Sequence, residues 1–169
     1  NEAALLAAGN FTSSERALEA PCGFINVLAA RSDITEIARG LDIMELTPSE
    51  HISQNELLAA NTVRFDYFNA QGQPKLVWPP SFALACSYLD QLQRSNGLAA
   101  GRISSARAAL ARAEAASGDA RRTALTALAG ELNTDAATAT DAAKVRKLAG
   151  AVSDLVNAQN PVGCSRSIS

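Results

Sequence analysis

The sequence predicts an α+β fold, in which a mixed N-terminal region of short helices and β-hairpins packs on a C-terminal antiparallel helical bundle. From Phe82 to Asn157, alanine-rich segments follow one another with apolar residues at helical spacing. In the preceding half the pattern is mixed, and the alternation of apolar and polar residues from Val63 to Tyr67 is typical of a strand. We therefore expect a mixed region at 1–80, a four-helix bundle at 81–157 and an irregular tail at 158–169.

The first two bundle segments carry start and stop signals. Ser81 follows two prolines and is placed to cap the first helix, and Asn96 with Gly97 supplies a left-handed stop. The second helix is expected from about Ala100 to Ala116, with its arginines directed away from a narrow apolar seam. These arginines are interpreted as a solvated face.

The last two segments are marked in the same way. Asp119 opens the third helix and Asn133 ends it, while Thr138 and Asp141 have the spacing of a capping box at the start of the fourth. Short connections make successive helices antiparallel, which favours an up-down bundle. Because each alanine buries little area, we expect the bundle to be only modestly stable by itself and to be covered by the preceding half or by a partner.

Several short stretches of the bundle carry a resemblance to a known family. They are Gly97-Leu98, the run from Ala106 to Leu110, Ala124-Leu125 and Lys144-Val145. With them, the segment 89–155 resembles the FIMAH domain, an all-helical module near the C-termini of membrane-anchored or secreted bacterial hydrolases and surface proteins. The family's third helix often carries a phenylalanine-isoleucine pair, which this chain lacks. The resemblance implies an accessory, non-catalytic role and supplies no catalytic residues.

The N-terminal half carries a second resemblance, in the stretches Ile37–Ile43, Ser53–Leu57 and Leu76–Pro79. These are similar to the tail that follows the β-propeller in some bacterial secreted LVIVD-repeat proteins. The chain itself shows no repeat of propeller-blade length. The resemblance therefore implies a tail without its propeller.

The pattern before the bundle predicts short elements. Residues 22–30 are interpreted as a buried strand or loop, and Ile34–Ile37 and Leu41–Leu46 as β-rich pieces. Ser53 and Glu56 have capping-box spacing for a short helix. The strand at Val63–Tyr67 is expected to form a hairpin with residues 75–78.

Aromatic residues of this hairpin are the candidate partner-binding site. They are Phe65, Tyr67, Phe68 and Trp78. One interpretation makes them a lid over the bundle core, because such residues are usually buried. If Tyr67 or Trp78 is exposed, it is instead the expected anchor of a protein interface.

The histidine and the acidic residues give little indication of a catalytic or metal-binding site. His51 is the only histidine, and beside Ser49 and Glu50 it is typical of a surface residue rather than a catalytic or metal-binding one. The acidic pairs show no calcium-loop spacing and are expected to be solvated. They are Asp33/Glu36, Asp42/Glu45 and Glu50/Glu56.

The three cysteines, Cys22, Cys86 and Cys164, follow no metal-binding spacing. In an oxidising compartment Cys86 is expected to pair with either Cys22 or Cys164, and in a reducing one all three remain thiols. We expect no metal, and no cofactor either, since alanine seams leave little cavity and no pair of axial haem ligands is present.

The charge and hydropathy of the sequence argue against nucleic-acid binding and against a membrane-spanning helix. The net charge is −2, and residues 1–81 hold ten acidic against five basic side chains, which argues against nucleic-acid binding. No apolar run approaches the ~20 residues of a membrane helix. The start at Asn1 suggests processing or a fragment of a larger precursor.

Together these observations predict a non-enzymatic accessory protein. Its expected place is periplasmic or extracellular in a bacterium, as a subunit docked on a larger envelope or membrane complex. The alternative is an accessory domain or fragment of a secreted hydrolase, whose active residues lie elsewhere or near His51.

Overall fold

The computed structural model describes the backbone of residues 24–28, 31–36, 40–63, 77–159 and 161–165, with side chains from residue 46 onward. The chain divides into two compact units, Asn1–Pro79 and Pro80–Ser169.

The described residues of the first unit form three short strands and one helix. Strands β1 (Phe24–Leu28), β2 (Arg31–Glu36) and β3 (Gly40–Glu45) pair antiparallel in the order β1-β2-β3. Helix α1 follows at Gln54–Ala60. Its capping box is confirmed: the Ser53 hydroxyl accepts from the Glu56 backbone N–H at 3.2 Å, and a Glu56 carboxylate oxygen accepts from the Ser53 N–H at 2.6 Å.

The second unit is a four-helix bundle. Its helices are α2 (Phe82–Arg94), α3 (Ala100–Ala115), α4 (Gly118–Asp135) and α5 (Ala142–Leu155). Helices α2 and α4 each pack against both α3 and α5. Successive helices are therefore neighbours around a closed square, as the short connections predict.

The core of the bundle consists of large apolar side chains at helical spacing on all four helices. The largest that are almost fully buried are Phe82, Leu89, Leu92, Leu110, Leu125, Leu132, Val145, Leu148, Val152 and Leu155. Alanines such as Ala106 and Ala113 on α3 are buried between them. The leucine and valine side chains supply most of the buried apolar area, and the alanines allow close approach of the helix axes.

The predicted α+β fold class is wrong for the part of the chain that the structure describes with its side chains. Residues 46–63, 77–159 and 161–165 contain five helices and no strand. The predicted hairpin between Val63–Tyr67 and 75–78 lies almost wholly in 64–76, outside the described residues. Every large side chain of the core described above belongs to a helix.

Some helix ends lie where the sequence predicted them, and others lie at different residues. The Ser81 hydroxyl accepts from the Leu84 N–H at 3.1 Å, so the predicted cap of α2 is confirmed. Asn96, with φ of 52°, takes the left-handed conformation after α2. Helix α4 runs two residues beyond the predicted end at Asn133. The residue that caps α5 is Asp141, whose Oδ1 accepts from the Lys144 N–H at 2.9 Å, so the prediction of Thr138 as the cap is wrong.

Candidate interaction site

An exposed apolar segment precedes the bundle. Val77 is 73% exposed, and Trp78 beside it is half-buried. Residues 77–80 form neither helix nor strand. The other predicted partner-binding residues, Phe65, Tyr67 and Phe68, lie outside the described residues. Trp78 is thus the one member of the predicted aromatic set whose burial the structure describes, and the residue is only partly buried.

His51 lies at the surface beside Glu50. Its Nε2 is 3.2 Å from Oε1 of Glu50, and both side chains are largely exposed. The His51 backbone N–H donates to the Ser49 hydroxyl at 3.2 Å. These contacts are those of a solvated turn.

The predicted acidic pairs have separate surroundings where they are described. Glu50 contacts His51, whereas Glu56 caps α1. The side chains of the other two pairs, on β2 and β3, lie outside the described part of the chain. Glu50 and Glu56 are thus engaged in two different local contacts.

A disulfide fastens the C-terminal residues to the bundle. Cys86, in α2, is bonded to Cys164, with 6.0 Å between their Cα atoms. Of the two pairings that the sequence left open for Cys86, the structure selects Cys164. The bond spans 78 positions of sequence and encloses most of α2 and all of α3, α4 and α5.

The segment that this disulfide holds, residues 161–165, is here called the C-terminal strap. Its Val162 carbonyl accepts a hydrogen bond from the Ala83 N–H in the first turn of α2, at 3.1 Å. Gly163 lies so close to Glu114 that an added Cβ would overlap the carboxylate. The strap therefore crosses from the start of α2 to the last turn of α3 and satisfies one of the N–H groups that a helix leaves without a partner at its start.

Arginines that the sequence assigned to a solvated face join helices instead. Arg102 Nε donates to Asp135 at 2.9 Å, and its Nη2 donates to Asp135 at 2.7 Å and to Glu131 at 3.2 Å, linking α3 to α4. The hydrogen bonds with Asp135, followed by the one with Glu131, raise the pKa of the Arg102 guanidinium above its ordinary value. Arg107 in turn contacts Asp90 on α2. Helical spacing marked these residues as non-core but did not reveal their partners.

Arg121 closes the end of α3. Its Nε donates to the carbonyl oxygens of Ala113 at 3.2 Å and Ala116 at 2.9 Å, and its Nη2 donates to that of Glu114 at 3.3 Å. A cation at a helix C-terminus satisfies carbonyls that have no partner within the helix. The sequence placed Arg121 outside the buried stripe of its own helix, and its partners on the preceding helix carry no sequence signal.

Two further properties of the described residues concern metals and membranes. Within them, no three His, Cys, Asp or Glu side chains are grouped so that they could hold a metal ion. Nor does any described helix combine the length and the apolar character required to cross a bilayer.

Comparison with protein-family models, with curated proteins and with solved structures finds no match for this chain. The resemblances to FIMAH domains and to LVIVD-repeat tails therefore stay predictions.

Proposed function

We propose that this chain is a non-catalytic interaction module that works outside the bacterial cytoplasm and docks on a larger envelope complex through the segment around Val77 and Trp78. The observation that carries the docking part is the exposure of Val77, 73%, directly beside a partly accessible tryptophan. Tryptophan is the residue type most often found as an energetic anchor of protein interfaces.

The Cys86–Cys164 disulfide supports the proposed compartment. Disulfides form and persist in oxidising surroundings such as the periplasm and the cell exterior, and they are rare in the cytosol. The proposed location therefore rests on a covalent feature of the bundle.

The rest of the bundle supports a framework role. Its helix ends are tied by side chains of neighbouring elements, with Arg102 bound to Asp135 and Arg121 to the carbonyls that end α3. Interfaces are strongest when the surface that they use is already ordered before binding. The bundle, with its helix ends fixed in this way, would give the module an ordered framework.

The experiment is cross-linking mass spectrometry of the tagged full chain in envelope fractions of cells that make it. The sequence contains only three lysines, so the cross-links are easily assigned: Lys75 is two residues from Val77, whereas Lys144 and Lys147 lie on α5. We expect one stoichiometric partner, with its cross-links starting from Lys75.

A variant pair makes the test specific. Val77→Ser combined with Trp78→Ala should lose the partner. Val162→Ser, at the other exposed large apolar residue among those described, should retain it. A chain without a stoichiometric partner, or one whose partner survives the double substitution, would disprove the proposal.

A further inference from the structure

The C-terminal strap is held to the bundle by a covalent bond and local contacts, whereas the helices are held together by a hydrophobic core. The strap is joined to α2 by the Cys86–Cys164 bond and by the hydrogen bond from Ala83 to Val162, and Gly163 lies against Glu114. By contrast, the helices are joined by a continuous core of buried leucines and valines. Removing the covalent bond therefore affects the strap far more directly than it affects the contacts between helices.

Two of the contacts that order the start of α2 do not depend on the strap. Ser81 caps the helix through its own side chain, and Phe82 is buried with the Arg121 guanidinium carbon 5.8 Å from its ring centroid. The cap and the cation–ring contact both remain if residues 161–165 move away. The first turn of α2 can thus stay helical while the Ala83 N–H exchanges its partner for water.

The two sulfur-bearing residues differ in access to solvent. Cys86 is only 5% exposed, whereas Cys164 is half-buried and follows Val162, which is 45% exposed. Cys164 is therefore the more exposed of the two bonded residues, and its side of the bond is where we expect a reductant to approach. Disulfides with an accessible sulfur are the ones that act in regulation, in contrast to those sealed in a core.

We propose that the Cys86–Cys164 disulfide is a redox latch, which a dithiol reductant opens to release the C-terminal strap while the four helices stay folded. A reductant thiolate attacks Sγ of Cys164, forming a mixed disulfide and releasing Cys86 as a thiolate that takes a proton. The second reductant thiolate then attacks the mixed disulfide, and Cys164 leaves and is protonated. Two electrons pass to the protein, and the reductant ends as a disulfide.

This proposal does not depend on the partner suggested for Val77 and Trp78. Opening the latch uncovers the Ala83 N–H and the last turn of α3 beside Glu114, at the end of the bundle where α2 begins. The same end of the molecule thus has two forms that differ by the state of one bond.

The test is hydrogen–deuterium exchange on the full chain with Cys22→Ser, so that two thiols appear on reduction. After treatment with dithiothreitol at neutral pH without denaturant, we expect exchange at the Ala83 amide, which donates to the Val162 carbonyl of the strap, to rise about tenfold or more. Exchange at Leu89, Leu132 and Leu148 in the core should stay within about twofold, and the far-ultraviolet helical signal should be kept.

Two variants sharpen the comparison. Cys86→Ser combined with Cys164→Ser should reproduce the exchange pattern of the reduced protein. Ser81→Ala is the control, since it removes a cap in the same turn and leaves the disulfide intact: it should raise exchange at Leu84 and leave the Ala83 amide protected by the Val162 carbonyl.

Three results would overturn the proposal. The first is an Ala83 amide that stays protected after reduction. The second is loss of the helical signal on reduction or in the double serine variant, which would make the bond a requirement for folding. The third is a reduction rate that rises with urea in parallel with global unfolding, because it would show that the sulfurs are reached only in the unfolded chain.

Discussion

The guanidinium of Arg121 lies over the ring of Phe82, with Cζ 5.8 Å from the ring centroid, while the same group donates to three carbonyl oxygens at the end of α3. One side chain of α4 thus joins the start of α2 to the end of α3. Three of the four helices meet at this residue.

Replacing Arg121 with methionine keeps an unbranched apolar side chain and removes every donor. We expect the free energy of unfolding to fall by about 2 kcal/mol, because the carbonyls of Ala113 and Ala116 lose a charged donor and the Phe82 ring loses its cation. Urea unfolding of the oxidised chain, followed by the helical signal, measures the change.

Arg122→Met is the matched control for this substitution. Arg122 is the next residue on α4, and its ion pair with Asp119 is exposed, with 3.5 Å between the charged atoms. Its loss should change the free energy of unfolding by no more than about 0.5 kcal/mol. Equal effects of the two substitutions would show that the contacts of Arg121 contribute nothing specific.

A second prediction concerns Gly97, in the turn between α2 and α3. An added Cβ would lie 2.8 Å from Cδ2 of Leu92 and 2.9 Å from Cβ of Asp141. Leu92 is fully buried, and the Asp141 backbone N–H donates to the Gly97 carbonyl at 3.0 Å, so neither neighbour can move without loss. We expect Gly97→Ala to lower the free energy of unfolding by about 1–3 kcal/mol in the same urea experiment.

Gly130 should respond with the opposite sign. It lies within α4, is exposed, and has no heavy atom within 4 Å of an added Cβ. Alanine restricts the unfolded chain and favours a helix, so Gly130→Ala should raise the free energy of unfolding by about 1 kcal/mol. A loss of stability at Gly130, or a gain at Gly97, would contradict the packing described for these glycines.

A third prediction is an energetic coupling between Arg102 and Asp135. Their two hydrogen bonds join α3 to α4 near the surface, where solvent screens part of the attraction. A double-mutant cycle with Arg102→Gln and Asp135→Asn should give a coupling of about 1 kcal/mol at low salt, and a smaller one in 1 M NaCl. A coupling of zero at low salt would show that the pair adds no stability.

The fourth prediction is a decline in stability at alkaline pH that depends on Tyr88. Burial raises the pKa of its phenol in the folded state above the ordinary value of 10.0. In the pH range between the two pKa values, the unfolded chain gives up a proton that the folded chain keeps. Below pH 10, Tyr88 is protonated in both states, and its contribution to the free energy of unfolding is fully present. As pH rises above 10, the unfolded state is favoured by losing this proton, so the free energy of unfolding falls.

Urea unfolding at pH 8 and at pH 10.5 or above checks this, with Cys22→Ser present to prevent disulfide exchange. Tyr88→Phe has no group to titrate and should lose less stability over the same interval. If both proteins decline equally, other groups, such as the lysines, account for the alkaline effect.

Helical spacing predicted the bundle because its signal is repeated over several turns. Leu125, Leu128 and Leu132 lie on one stripe of α4, and all three are buried. Caps were predictable where side chain and backbone are neighbours in sequence, as for Ser53 with Glu56 and for Ser81. Thr138 and Asp141 each had the composition of a cap, and sequence alone favoured the wrong one.

Contacts between distant residues lay beyond sequence reasoning. Nothing local to Arg121 indicates that its donors meet the carbonyls of Ala113 and Ala116, because that contact depends on the angle between two helices. The α+β prediction failed for a related reason. Fold class is decided by which residues share a core, and in the residues described with their side chains that core is built from helices. The strand at Val63–Tyr67 lies almost wholly outside the described residues and stays a prediction.

The position of the Cys86–Cys164 bond also determines how the bundle bears mechanical load. A force that stretches the chain between Ser81 and Ser165 travels from the first turns of α2 through the disulfide and directly into the strap. Helices α3, α4 and α5 lie inside the covalent loop and carry no tension. While the bond is oxidised, pulling can unwind only the start of α2; once it is reduced, the same force extends the whole bundle.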